Sequence, residues 1–308
     1  MPDLIVPILA FILVLLVAGN NLAVCVGPVV SSRIINRRTG IILAIIGSAL
    51  GVVLQGSILR FGIDQLLPTS QPLLLPITLS IAIAIFLAAH RLRVPQPLSI
   101  TFTMALLGID LAYGSGINVG FALLIIFSWI LATLGSLTLS YFSMGVLEKV
   151  IKKRRVWQTL DIMKGMLIIL SFLAAFTFGA NTIGLIYASL PPGGVSLAIV
   201  IVAIILGSVL LSAGTLRRIG DEILPLRYAN ALVSQFIAVV FVESATLFSI
   251  PLSSTQALTS SIYGTGLSYK ARLLVQKPLK RIISIWVITA AISFAAGYIA
   301  TYLIFLMA

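Results

Sequence analysis

"PLSSTQ", residues 251–256, stands between two long apolar runs. It is a proline followed by three consecutive hydroxyl residues (Ser253, Ser254, Thr255) and an amide. "PLSITF", residues 97–102, is its counterpart nearer the N-terminus. Upstream of each lies a glycine–amide cluster inside an unusually long apolar run: "AGNNLAVCVGP", Ala18–Pro28, and "FGANTIGLIYA", Phe178–Ala188. After "GNN" come two long runs and then "PLSITF"; after "GAN" come two long runs and then "PLSSTQ". Each half closes on one more long run. The chain therefore reads as two copies of a five-segment unit.

Composition says what those segments are. Of 308 residues, 60% are hydrophobic and 9% charged, with a mean hydropathy of +1.18. Soluble domains carry roughly 25% charged residues. Apolar runs long enough to cross a bilayer recur from end to end, and they do not alternate as barrel strands would. This is an all-α integral membrane protein. Ten segments can be drawn, at about 4–32, 39–61, 72–90, 97–115, 118–145, 160–190, 195–213, 228–249, 251–268 and 283–306. Segments 97–115 and 251–268 are short and polar, and read either as spans or as helical hairpins.

The net charge of +12 is a topology signal, not a nucleic-acid surface. The basic residues cluster between apolar runs: Arg33, Arg37 and Arg38; Arg91 and Arg93; Lys149 and Lys152 to Arg155; Arg217, Arg218 and Arg227; Lys270 to Arg281. With the N-terminus outside, each cluster falls on the cytoplasmic side, and Arg60 is the main exception. The positive-inside rule thus predicts ten crossings of the plasma membrane with both termini extracytoplasmic. "MPDLIVPILAF" lacks the positive n-region of a signal peptide and reads as a retained first helix.

Five is odd, so the second copy must enter the membrane from the opposite side. The expected organisation is a first inverted repeat at 1–150, a cytoplasmic basic linker at 151–158 and a second inverted repeat at 159–308. Inverted repeats with broken helices are characteristic of secondary transporters, which bind substrate near the midplane. Gly and Pro interrupt a helix; Asn, Ser and Thr satisfy the freed backbone groups. A half-helix opened by Pro and Ser/Thr presents backbone N–H groups that favour anions. The two hexapeptides are expected to form symmetry-related halves of one site.

At these residues the sequence resembles the inorganic phosphate transporter (PiT) family, which carries a G-A-N-D signature and a later P-[VI]-S-T-T-H signature in each half. The counterparts here are Gly19-Asn20-Asn21-Leu22, Gly179-Ala180-Asn181-Thr182, Pro97 to Phe102 and Pro251 to Gln256. The stretch "RRIGDEILPLRYANALVSQ" resembles the family's approach to its last signature, with Gln235 where the family often has Glu or Gln. The resemblance implies ion-coupled transport of phosphate, or sulfate in some members, with Na+ or H+ as the coupling ion and no other cofactor. It implies a substrate site at Asn21, Asn181, Ser99, Thr101, Ser253, Ser254 and Thr255, supported by Asn20, Thr182, Gln235 and Gln256. Both signature aspartates are replaced, by Leu22 and Thr182, and both signature histidines, by Phe102 and Gln256. A carboxylate is a natural hard ligand for a cation, and neither signature retains one.

Two acids fall inside predicted spans, Asp110 and Glu243. An intramembrane acid is costly and is a functional candidate by default. Either is a candidate proton carrier or cation ligand; the alternative is an ion pair with a nearby Arg or an interfacial position. Lys164 is expected to snorkel, and "GSALG", Gly47–Gly51, to permit close helix packing or a homo-oligomer contact. Cys25 and His90 are each the only residue of their type. Neither a disulfide nor a CxxC metal site follows, and so few ionisable groups argue against a membrane-embedded enzyme. No GxxxxGK[ST] occurs, so energy comes from an ion gradient or from the substrate's own gradient. The reading is a secondary transporter of inorganic phosphate, with lipid as its surroundings. The alternatives are a permease for sulfate or another oxyanion, a channel or transporter for a cation or neutral solute, and a member that scaffolds or senses without transporting.

Overall fold

A computed structural model of the protein describes residues 2–66, 74–92, 96–114, 118–151, 156–222, 228–268 and 276–307. The first half comprises α1 (Pro2–Ser31), α2 (Arg37–Gln55), a 3-10 turn (Gly56–Leu59), α3 (Arg60–Leu66), α4 (Leu74–Leu92), α5 (Leu98–Tyr113) and α6 (Val119–Ile151). The second half comprises α7 (Val156–Thr177), a π turn (Phe178–Ile183), α8 (Gly184–Ser189), α9 (Gly194–Glu222), α10 (Tyr228–Leu247), α11 (Ser254–Ser268) and α12 (Gln276–Met307). No strand occurs among the described residues, as hydrocarbon surroundings require of backbone that must satisfy itself. The basic residues Arg93, Lys152 to Arg155, Arg227, Lys270 and Arg272 lie outside the described residues. Most of the proposed linker therefore does too; Ile151 and Val156–Gln158 belong to helix ends.

Among the described residues, eight helical stretches are long and apolar enough to cross a membrane. The other two of the ten expected segments are shorter: α5 has 16 residues and α11 has 15. At 1.5 Å per residue these are about 24 and 23 Å long, short of the roughly 30 Å of hydrocarbon. Both are instead wrapped in protein. α11 is buried from Thr255 to Gly266, including Thr259, Ser260, Ser261 and Thr265, so most of its hydroxyls lie inside the protein.

Packing partners come in sets that exchange when the halves exchange. α1 packs on α9, and α2 on α7 with its π turn; α5 packs on α12, and α11 on α6; α4 packs on α1, and α10 on α7. Glycines permit the closest of these approaches. A Cβ on Gly51 would overlap the Phe176 carbonyl, and one on Gly179 the Ser48 backbone. "GSALG" thus serves packing of α2 on α7 within the chain. Gly19 is matched in the same way against Leu211 on α9, and Gly207 against the Leu15 carbonyl.

The breaks are not where the glycine–amide clusters place them. α1 runs unbroken through Gly19, Asn20 and Asn21, and the second cluster forms a π turn within a continuous helix. Gly19 and Gly179 are needed for close approach, not for interruption. Gln96–Pro97 and the residues between α10 and α11 are non-helical, and in the second stretch Ser249 takes a positive φ of 57°.

Arg60, the exception to the charge rule, donates from Nη2 to the Leu190 carbonyl at 3.0 Å. It caps the end of α8, where a cation is favoured. Lys164 pairs with Asp161 at 3.3 Å on an exposed helix face.

Candidate functional site

Two asparagines, one from each half, hold the two breaks. In the π turn, Asn181 donates from Nδ2 to Thr246 Oγ1 and to the Ile250 carbonyl, each at 3.0 Å, and its Oδ1 accepts the Leu252 N–H at 2.8 Å. A single carboxamide thereby satisfies the backbone on both sides of Pro251. Trp129 Nε1 donates to the Pro251 carbonyl at 3.0 Å, and Ser249 Oγ to the Ile58 carbonyl at 2.8 Å. Non-helical backbone is tolerated at membrane depth only when protein satisfies it in this way. Ser253 then caps α11: its Oγ accepts the Gln256 N–H at 3.2 Å and lies 2.8 Å from Thr255 Oγ1. Thr182 Oγ1 sits 3.4 Å from Ser254 Oγ.

The first half repeats the clasp in a looser form. Asn21 Nδ2 donates to the Gln96 carbonyl at 2.7 Å, and Gln96 precedes Pro97 as Ile250 precedes Pro251. Asn21 Oδ1, however, is buried without a hydrogen-bond partner. α5 starts directly after Pro97, so Ser99 and Thr101 lie in its first turn. Thr101 Oγ1 turns back to the Pro97 carbonyl at 3.1 Å, while Ser99 Oγ is buried without a partner.

Between the two clasps lies a cavity of about 20 Å³, room for one water. Its polar lining is Asn21, Thr177, Ser254 and Thr255; Cys25, Phe178 and Val242 are among its other walls. The structure thus brings Asn21 of the first half to the second hexapeptide. Asn181 and Thr182 support that hexapeptide and its own Ser253 caps the helix, all three off the lining. The two hexapeptides do not share the cavity: Ser99 and Thr101 are outside its lining, because an immediate helix start turns them into the α5 packing.

Gln235 braces the same region. Its Nε2 donates to the Cys25 carbonyl at 2.6 Å, and its Oε1 accepts from Ser171 Oγ at 3.2 Å, tying α10 to α1 and α7. Asn20 is buried beside Asn21, and Gln256 is buried with Oε1 unpartnered. Neither lines the cavity. Asp110 lies in the last turn of α5 and Glu243 on another face of α10; both are off the lining. Glu243 Oε1 accepts from Gln55 Nε2 at 2.7 Å. No cluster of three or more metal-binding side chains occurs among the described residues.

Gln96, Thr177, Thr246, Gln55 and Trp129 were not singled out from sequence. Gln96 and Gln55 carried a signal, as amides beside a proline and inside an apolar run. Thr177, Thr246 and Trp129 look like any other hydroxyl or aromatic in a span.

Comparison with known proteins bears on this geometry. The sequence model of the phosphate transporter family matches residues 17–297. A protein of Methanocaldococcus jannaschii named as a candidate phosphate permease is 24% identical over 300 residues, covering 96% of each chain. A Bacillus subtilis protein named as a candidate low-affinity inorganic phosphate transporter is 29% identical over 89 residues, covering 29% of this chain and 27% of its own length. Among solved structures, one titled "The sodium-dependent phosphate transporter" superposes with a TM-score of 0.85 at 18% identity, over 99% of both chains. That likeness is one of fold.

Proposed function

The chain belongs to the phosphate transporter family, and from that premise we propose that it carries inorganic phosphate across the plasma membrane by ion-coupled alternating access. Membership places it among transporters rather than enzymes. The observation that carries the proposal is the meeting of Asn21 with Ser254 and Thr255 at one cavity. The first two residues of α11 contribute N–H groups with no partner in their own helix, and that helix end favours an anion. The hydroxyls and the Asn21 carboxamide add donors without adding a fixed charge.

The two halves, 1–150 and 159–308, act as inverted repeats in this reading, with both termini extracytoplasmic. The exchange-related packing pairs support it. One half rocks against the other, and the clasps at Pro97 and Pro251 travel with their halves. The small cavity corresponds to a closed state that must widen to admit a tetrahedral oxyanion. Coupling is to Na+ or H+; the family's signature aspartates are absent, so other groups carry the ion.

Radiolabelled phosphate uptake into proteoliposomes, with imposed Na+ or H+ gradients and excess unlabelled sulfate, tests the reading. Gradient-driven uptake that resists sulfate and is lost in Thr255→Val supports it. Uptake blocked by sulfate reassigns the protein to a broader oxyanion permease. No uptake under either gradient refutes transport.

A further inference from the structure

We propose that Glu243 and Gln55 form a proton-binding site, in which Glu243 is held as the neutral acid against the Gln55 carboxamide and exchanges its proton when α2 and α10 part. The proposal deepens the transport reading above by naming H+ as the coupling ion, and rests on that reading for the coupling alone.

Both residues lie within apolar spans, Arg37–Leu66 and Tyr228–Leu247. They are joined by one arm, Gln55 Nε2 donating to Glu243 Oε1 at 2.7 Å. The other arm of each is sealed from the surface and has no partner: Glu243 Oε2 and Gln55 Oε1. If Glu243 were ionised, both orphan atoms would be acceptors, and a half-buried carboxylate with one oxygen sealed and unpartnered is costly inside a membrane span. A proton on Oε2 removes the charge and turns that oxygen into a donor. Gln55 Oε1 is an acceptor still wanting a donor, so an acid–amide pair bonded through both arms satisfies the two orphans with one proton. A hard metal ion takes roughly six oxygens or more; two orphan oxygens fall short of that.

Among the side chains that are described, no cation pairs with Glu243. On α2, α10 and the elements packed against them, those charged and titratable groups include Arg37 and Arg38 at the start of α2, Tyr228 at the start of α10 and the following. Arg60 and Asp64 lie on the α3 extension of α2, with Arg60 bound to the Leu190 carbonyl. Tyr187 is on α8 against Gly56. Asp161 and Lys164 on α7 pair with each other. Glu148 and Lys149 are in the last turns of α6, Tyr141 is on its exposed face, and Tyr263 is on α11. On α1, Cys25 is buried. None of them is an ion-pair partner of Glu243.

Glu243 is off the cavity lining, but its helix reaches the cavity. Thr246 is one helical turn beyond Glu243 and accepts from Asn181, while the neighbouring Val242 lines the cavity. Movement of α10 away from α2 breaks the acid–amide pair and shifts the Asn181 clasp together. Water then takes the proton: the O–H bond of Glu243 breaks, the carboxylate stays hydrated, and the proton returns when the helices close.

The test uses the full-length protein in lipid vesicles. Infrared spectroscopy near neutral pH is expected to show a protonated carboxyl C=O band that shifts in D2O and disappears in Glu243→Gln but persists in Asp110→Asn. Glu243→Gln keeps a two-armed amide pair, so its fold should survive. Should it not fold, Gln55→Leu serves: the band then moves to the higher frequency of a carboxyl that has lost its partner. In uptake, the stimulation by an inward proton gradient is expected to fall from several-fold to none in Glu243→Gln. A spectrum with no protonated band assignable to Glu243 overturns the site, as does undiminished proton stimulation in Glu243→Gln. Stabilisation by Na+ that is lost in Glu243→Gln, without the band, overturns it in favour of a cation site. Absence of uptake in the wild type refutes the transport reading, and the band alone then decides the site.

Discussion

Leu252 gives its backbone N–H to the carboxamide oxygen of Asn181 over 2.8 Å, although 71 positions separate them in the chain. The same side chain holds the Ile250 carbonyl. The entry to α11 is therefore set by a residue of the π turn that follows α7, and the consequences can be measured.

Asn181→Ala leaves a buried N–H and a buried carbonyl unsatisfied. Each such group costs about 1–3 kcal/mol. The variant is expected to melt well below the wild type and to lose uptake. Asn181→Asp keeps the acceptor for Leu252 but not the donor for Ile250 and Thr246, and should fall between the two in a thermal melt.

Asn21→Ala removes one hydrogen bond, to Gln96, and an oxygen that has no partner. Its stability cost is expected to be about 1 kcal/mol, clearly smaller than that of Asn181→Ala. Uptake should nonetheless fall sharply, since Asn21 lines the cavity. Equal destabilisation by the two variants would show that the clasps are equivalent and refute the difference seen here.

Gly51→Ala and Gly179→Ala place a methyl group against the Phe176 carbonyl and the Ser48 backbone. Overpacking of this kind costs roughly 1–3 kcal/mol or more, and expression and melting temperature should both drop. Gly145→Ala and Gly165→Ala meet nothing within 4 Å and should be neutral or stabilising by up to about 1 kcal/mol.

Asp161→Asn breaks the pair with Lys164, whose side chains are 80% and 43% exposed respectively. Exposed pairs contribute about 0–1 kcal/mol, so melting temperature and uptake should stay within error of the wild type. A large loss would mean that the pair is covered in the membrane.

Trp129→Phe removes the donor to the Pro251 carbonyl. A loss of about 1 kcal/mol is expected, with uptake reduced less than in Thr255→Val, because Trp129 supports the break from outside the cavity.

The membrane class was legible in the residues alone, as were most helix extents. Apolar length and charge placement are local properties, and lipid enforces them segment by segment. The sequence also singled out Asn21, Asn181, Ser254 and Thr255, since amides and hydroxyls are conspicuous in apolar runs. The tertiary structure alone decided what they do. Whether an asparagine breaks its own helix or clasps another depends on a partner 65 to 75 positions away. Asn21 found one at Gln96 and left α1 whole. Ser99 and Ser253 occupy matching positions, yet only Ser253 caps a helix, because α5 begins at Leu98, directly after Pro97, and α11 begins only at Ser254. The pairing of Glu243 with Gln55 is of the same kind. A buried polar group must be satisfied by whatever packing brings near it, and that neighbour belongs to the fold rather than to any local stretch of sequence.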